Sequence, residues 1–287
     1  MENKLKEIRL KNNGITNLFN SAYDCISALH GIQAQYDIYA YISLVNRVKK
    51  FDLDELHNCS SIVKSWGQRV TLHLNTKDNM IINKAIYTSQ NNWIKKYISQ
   101  LDGKCDEIIS QIVNANYENE FFSKTEVQRN ILHKKKKDMM QWGGVLAQAS
   151  IEGYIYEMVD GEKEKRYTKL ETDMLKKIID YDMALGNLIE KYIISYGPVS
   201  SKDFAHWSGL RKCDFIEIWE KTVGKFDQLR IGENIFFYKK QDIEKKEEEV
   251  VLLGKFDPLL LSYDDKNWLV EEKYRKNVWK NAGQDPG

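Results

Sequence analysis

Long apolar runs are missing from this chain. No stretch is long enough to cross a bilayer, and Met1-Glu2-Asn3-Lys4-Leu5-Lys6 leads into no apolar signal core. Neither a membrane partner nor export is expected, and the cytoplasm is the expected compartment. Proline is scarce, with only Pro198, Pro258 and Pro286 in 287 residues, so most of the chain is free to be helical. The four cysteines (Cys25, Cys59, Cys105, Cys213) are scattered without a Cys-x-x-Cys pair and read as reduced thiols. The five histidines form no His-Glu-x-x-His or similar cluster, so no metal and no cofactor are expected. Net charge is low as well: a formal +1 argues neither for nor against nucleic acid, and the distribution of charge matters more than its sum. What is present, 42% hydrophobic and 30% charged residues, fits a soluble globular protein of two or three small domains or one large one.

One order of elements recurs. Met183 to Tyr196 carries Leu185, Leu188, Ile189, Tyr192 and Ile193 at helical spacing, and Gly197-Pro198 stops it. Ser200 and Ser201 offer N-caps for a short helix over 202–207, and after Ser208-Gly209 the run Arg211 to Val223 reads as another. Phe226 to Tyr238 reads as a hairpin turning at Gly232-Glu233-Asn234. Three helices and a two-stranded hairpin are the order of a winged helix. The same order appears over helices at 104–117, 121–132 and 139–153, the second capped by Phe121-Phe122-Ser123 and the third including Trp142-Gly143-Gly144. A hairpin turning near Asp160-Gly161 follows. An earlier copy, over roughly 4–75, rests on a helix from Ile15 to Leu29 ending at Gly31, a helix near Asp52 to Val63, and a strand from Arg69 to Leu74. Helices at 79–101 connect the first two copies. Beyond the charged segment 240–249, Val250 to Gly254 and Phe256 to Leu261 read as strands of a separate β element. The expected class is mainly α with β (α+β): a first winged helix with connecting helices over 1–103, a second over 104–182, a third over 183–240, and a truncated β element over 241–287.

Repeated winged helices point to DNA, because one helix of the motif fits the major groove and the wing reaches the backbone. A scaffold for protein contacts is the other use of the motif. The expected phosphate contacts are Lys134, Lys135, Lys136, Lys137, Lys163, Lys165, Arg166, Lys202, Arg211 and Lys212, each of which taken alone is an ordinary surface charge. The mostly acidic run Glu244 to Glu249 offsets them elsewhere. In His30-Gly31-Ile32-Gln33-Ala34-Gln35, an extended backbone places the amides of Gln33 and Gln35 on one face. Asp37 joins that face if the segment stays extended, as the nearest candidate base; otherwise it is a surface or helix-capping residue. In Trp66-Gly67-Gln68-Arg69-Val70-Thr71-Leu72-His73-Leu74, Thr71 and His73 share one face of the expected strand, opposite Leu72 and Leu74. His73 there is either packed or exposed, or a contact to a flipped base or a phosphate.

Four strings occur in the same order in one family: Gln33-Ala34-Gln35; Arg69 to Leu74; Tyr196-Gly197-Pro198 with Asp203-Phe204-Ala205 and Trp207-Ser208-Gly209-Leu210; and Phe256-Asp257-Pro258-Leu259-Leu260-Leu261. Over nearly its whole length the chain resembles the winged-helix DNA glycosylases of the AlkZ type, bacterial enzymes that excise N-alkylated purines and unhook interstrand crosslinks. The resemblance implies three tandem winged helices arranged in a concave surface and a C-terminal β-barrel element. It also implies a catalytic Gln-Φ-Gln or Gln-Φ-Asp motif, Φ usually aliphatic, on which Gln33 and Gln35 fall with Ala34 between them. That is the Gln-Φ-Gln branch, which includes self-resistance enzymes against DNA-alkylating natural products. The implied protein is a monofunctional glycosylase acting as a monomer on double-stranded DNA with alkylated purines, with His30, Arg69, Thr71 and His73 as its lesion pocket. No lysine sits in the Gln33 motif, which disfavours a lyase step. The chain departs from the family in Tyr36-Asp37-Ile38-Tyr39-Ala40, which lacks the prolines often found there, and in stopping at Gly287, where relatives continue into further barrel strands. Two other readings stand beside the enzyme: a non-catalytic winged-helix DNA-binding protein or transcriptional regulator, and a family remnant inactivated by truncation.

Overall fold

The computed structural model describes residues 2–89, 93–177, 179–240 and 250–279; the acidic run Glu244 to Glu249 and the last residues, 281–287, lie outside them. The chain forms two compact units. One is built from both ends, Met1–Asp52 with Leu185–Gly287, and the other from Leu53–Ala184. Both mix helix and strand, as an α+β chain should. No helix of the described residues is long and apolar enough to cross a membrane.

The first unit is organised by the helix Tyr181–Tyr196. Its expected apolar stripe, Leu185, Leu188, Ile189, Tyr192 and Ile193, is fully buried. Ser200 then caps the helix Ser201–Ser208, its hydroxyl accepting from the Asp203 N–H while the Asp203 carboxylate accepts from the Ser200 N–H. The helix Lys212–Val223 follows, and then the hairpin Asp227–Ile231 with Asn234–Tyr238, paired from Asp227↔Tyr238 to Ile231↔Asn234. Between these helices lies an aromatic core. Tyr192 stacks on Trp207 at 4.6 Å, and Phe204 meets Phe215 edge-on at 4.8 Å. The N-terminal helix Glu2–Asn12 lays Leu5 and Ile8 against Leu229 and Tyr238 of the hairpin.

Two expectations fail in this unit. Ile15 to Leu29 is not one helix: Gly14 turns the chain at φ +78°, and helix resumes only at Ala22–Ala28, where Ser21 accepts the Asp24 N–H at 3.0 Å. Among the described residues the expected C-terminal β element is also not formed. Val250 to Gly254 is irregular, Pro258–Leu261 is a helical turn, and among the described residues no strand follows Tyr238. Asp257 accepts the Leu259 N–H at 2.9 Å, and Pro258 takes the first helical position, where its missing N–H is not needed.

The second unit is a sheet with helices packed on it. Within the unit the strands run in the order Leu72–Thr76, Ile62–Trp66, Ile155–Glu157, Arg166–Lys169, Phe121–Ser123, each antiparallel to its neighbour. At the centre lies Gly144–Ile151, every residue of which is buried. Around it pack the helices Lys77–Tyr87, Trp93–Gln100 and Cys105–Asn114 and the strand Ile62–Trp66. Here too the sequence reading needs revision. The helix expected near Asp52 to Val63 stops at Leu53–Asn58, because Ile62 and Val63 open a strand paired with Leu72–Thr76. Gln68–Val70 is the turn of that hairpin, so the Arg69-to-Leu74 string is half turn and half strand. Phe121–Ser123 is a strand as well as a cap, its Phe122 facing Tyr167 across the sheet. Ser123 does cap Lys124–Asn130, through a capping box with Glu126.

Candidate functional site

The Gln33–Gln35 segment lies between two helices of the first unit. Ala22–Ala28 ends in a reversal through His30 (φ +54°) and Gly31 (φ +100°), with the Gly31 N–H donating to the Ile26 carbonyl at 2.9 Å. The helix Tyr181–Tyr196 holds that end in place. Lys191 Nζ donates to the Ser27 carbonyl at 3.3 Å, Ser195 Oγ to Ala28 at 2.7 Å and Tyr196 Oη to Leu29 at 2.9 Å, which satisfies carbonyls the helix itself cannot. Beyond the reversal, Ile32–Gln33 is extended. Ile32 and Ala34 are fully buried, Gln33 is half-buried and Gln35 is exposed. This alternation is what an extended run gives when two apolar residues anchor one side of it.

The run ends at Tyr36, because Asp37–Val45 is a helix. Asp37 therefore does not share the glutamine face as a strand residue. Its carboxylate stands in an exposed first helical turn, where the helix dipole favours negative charge. The C-terminal end of this helix is held by Arg47. That guanidinium donates to both Asp257 oxygens (2.8 and 2.6 Å), to the Asn13 carbonyl (2.9 Å) and side chain (3.1 Å), and to the Ser43 carbonyl (3.0 Å). Burial opposes its charge, but Asp257 outweighs that and raises its pKa. The nearby Cys25 thiol is pushed up to about 12 by burial, so it is no nucleophile at neutral pH. Beside Gln35, the exposed Tyr36 stacks parallel to Phe256 at 6.2 Å, and Tyr39 meets both edge-on.

Of the four lesion-pocket candidates, His30 belongs to the first unit and Arg69, Thr71 and His73 to the second. His30 is fully buried and edge-on to Trp207 at 6.2 Å, a packed position in the aromatic core. The other three are neighbours on one hairpin. Arg69 sits in its turn with φ +54°, Thr71 Oγ1 donates to the Gln68 carbonyl at 3.0 Å, and buried His73 places Nδ1 2.9 Å from the Thr71 carbonyl. A carbonyl only accepts, so Nδ1 carries the proton.

The basic candidates divide by partner. Arg166 meets Asp160 at 2.8 Å and lies over the Phe121 ring, Lys165 meets Glu157 at 3.3 Å, Lys135 meets Asp102 at 3.1 Å, and Arg211 grips Asp214. The side-chain hydrogen bond from Arg211 holds the Asp214 carboxyl below the usual range. Among the described residues, Lys134, Lys136, Lys137, Lys163, Lys202 and Lys212 have no carboxylate at ion-pair distance. Sequence reasoning missed two features of the site, the Arg47–Asp257 pair and the Tyr36–Phe256 stack. Asp257-Pro258 was the available signal for the first, as a helix start. No group of three or more His, Cys, Asp or Glu able to hold a metal occurs among the described residues.

This fold is that of a solved DNA glycosylase. The Streptomyces sahachiroi DNA glycosylase AlkZ superposes with a TM-score of 0.80, over 98% of this chain and 82% of that one, at 19% sequence identity. The family model described as DNA glycosylase AlkZ-like matches residues 26–287, and the chain belongs to that family of DNA glycosylases. No curated protein sequence matches it.

Proposed function

We propose that this glycosylase hydrolyses the N-glycosidic bond of N-alkylated purines in double-stranded DNA, with Gln33 and Gln35 positioning the attacking water. The observation that carries the proposal is the buried Ile32 and Ala34 alternating with the half-buried Gln33 and the exposed Gln35, on a segment held at both ends by hydrogen-bonded helices. Glycoside hydrolysis normally takes two carboxylates, one to protonate the leaving group. An N7-alkylguanine is already cationic, so its base leaves without protonation. The remaining task is to hold a water at the anomeric carbon beside an oxocarbenium-like sugar, and two fixed amide oxygens do this by position and dipole. His30, packed behind the motif, orients the reversal that leads into it.

The helix order of 183–240 and of 104–182 supports reading these two segments as winged helices. Lysines without carboxylate partners support the phosphate contacts, Lys134, Lys136 and Lys137 foremost, and the protein acts as a monomer. The test is base release from duplex DNA carrying N7-methylguanine, and separately a nitrogen-mustard crosslink, by wild type and by Gln33→Ala/Gln35→Ala. Release abolished in the double variant is the expected result. A wild type that binds DNA yet frees no base from either substrate leaves a non-catalytic DNA-binding protein.

A further inference from the structure

The second unit carries an exposed aromatic row that the catalytic proposal does not use. Trp93, Tyr97 and Trp142 follow one another with ring centroids 6.3 and 6.1 Å apart, and Trp142 is 72% exposed. An indole left in water forgoes the largest burial gain of any side chain, so its position needs a reason. Nor is it on a loose loop. The sequence places 139–153 in a helix, yet the backbone breaks at Gln141, and Trp142 takes φ 49°, ψ 34°, a left-handed conformation unusual for a bulky residue. Both sides of the break are fixed. Met139 and Met140 are fully buried, Lys124 Nζ donates to the Met140 carbonyl at 3.0 Å, and Tyr97 Oη donates to the Asp138 carbonyl at 2.9 Å. On the far side, a Cβ on Gly143 would stand 2.5 Å from the Trp66 ring, and one on Gly144 1.8 Å from the Met139 carbonyl oxygen. The chain is turned outward at Trp142 and buried on either side of it.

Just upstream lies the lysine run. Lys134 and Lys137 are exposed, and neither has a carboxylate partner among the described residues; Lys135 is paired with exposed Asp102, and Asp138 is half-buried nearby. An outward indole that follows uncompensated ammonium groups in the chain matches a partner that is anionic along its backbone and offers flat π-faces. We propose that Trp142 is a base-stacking residue, which lays its indole on a base face where the duplex stack is interrupted while Lys134 and Lys137 hold adjacent phosphates. The inference rests on the DNA reading above but not on the chemistry of Gln33 and Gln35.

The test uses the full chain and two duplexes, one intact and one with a tetrahydrofuran abasic analogue opposite 2-aminopurine. Trp142→Ala is expected to weaken binding to the interrupted duplex by about 5- to 100-fold and to abolish quenching of 2-aminopurine, with Trp142→Phe retaining most of both. Lys134→Gln/Lys137→Gln is expected to weaken both duplexes alike and to lower the slope of log affinity against log salt by about 2. Trp142→Ala that melts like wild type and binds both duplexes equally well overturns the inference and leaves the glycosylase reading intact. Trp142-dependent binding to anionic phospholipid vesicles instead of DNA also overturns it. A protein that binds neither duplex removes this inference and the DNA reading together. Loss of base release in the glutamine variant, or its persistence, leaves the stacking result unchanged.

Discussion

Each unit buries an ion pair, and the two pairs are built differently. In the first unit Arg47 and Asp257 are wholly inaccessible, and the guanidinium's other donors go to Asn13 and Ser43. The partners come from the two chain segments that make up the unit. In the second unit Lys64 meets Glu157 at 2.7 Å with slight exposure, and half-exposed Lys165 reaches the same carboxylate. These two residues already face each other in the sheet register. A ladder thus fixes the second contact and the ion pair adds to it, whereas in the first the ion pair, together with the Ser43 hydroxyl that donates to Asp257, helps hold Asp257-Pro258 in place. The helix it holds is the one that follows Gln35 directly.

The largest expected effect is on the first pair. Asp257→Ala leaves a buried guanidinium unpaired and should cost about 3–5 kcal/mol in urea unfolding. Glu157→Ala leaves a slightly exposed Lys64, on a flexible stem rather than a rigid guanidinium, and should cost less, about 1–3 kcal/mol. The reverse ranking would break the comparison, and a double-mutant cycle on each pair would sharpen it. Next come the capping boxes, one in each unit: Ser200→Ala and Ser123→Ala should each lose about 1 kcal/mol. The smallest effect is a pH dependence. The Ser123 N–H and then its hydroxyl hold the Glu126 carboxyl below its ordinary 4.5 in the folded protein. Its contribution is present above that value and lost as the pH falls. The stability difference between wild type and Glu126→Gln should therefore exist at neutral pH and disappear in acid melts.

What the sequence made legible followed from local signals. From Gly197-Pro198 to the Gly232 turn, each boundary carries its own cap or breaker, and the helices and hairpin fall within a residue or two of the reading. The extended run at Ile32–Gln33 was equally visible, because Gly31 breaks the helix just before it. Misreadings arose where a tertiary partner decides the local state. Ile62 to Trp66 is a strand because Leu72–Thr76 pairs with it, and Phe256 to Leu261 turns helical under Asp257, held by an arginine 210 residues away. Asp37 took its surface alternative, an exposed residue in the first turn of a helix. Trp142 was hidden inside a helical pattern, although Gly143-Gly144 directly after it was a breaker signal.

The central claim is that two neutral amides suffice for base release. The most direct test is single-turnover excision of N7-methylguanine at saturating enzyme, followed from about pH 4 to pH 8, where carboxylates and imidazoles titrate. The account predicts a flat profile for wild type and release lost at every pH in Gln33→Ala/Gln35→Ala. A rate that rises through a carboxylate or imidazole midpoint, or that survives the double substitution, would contradict it.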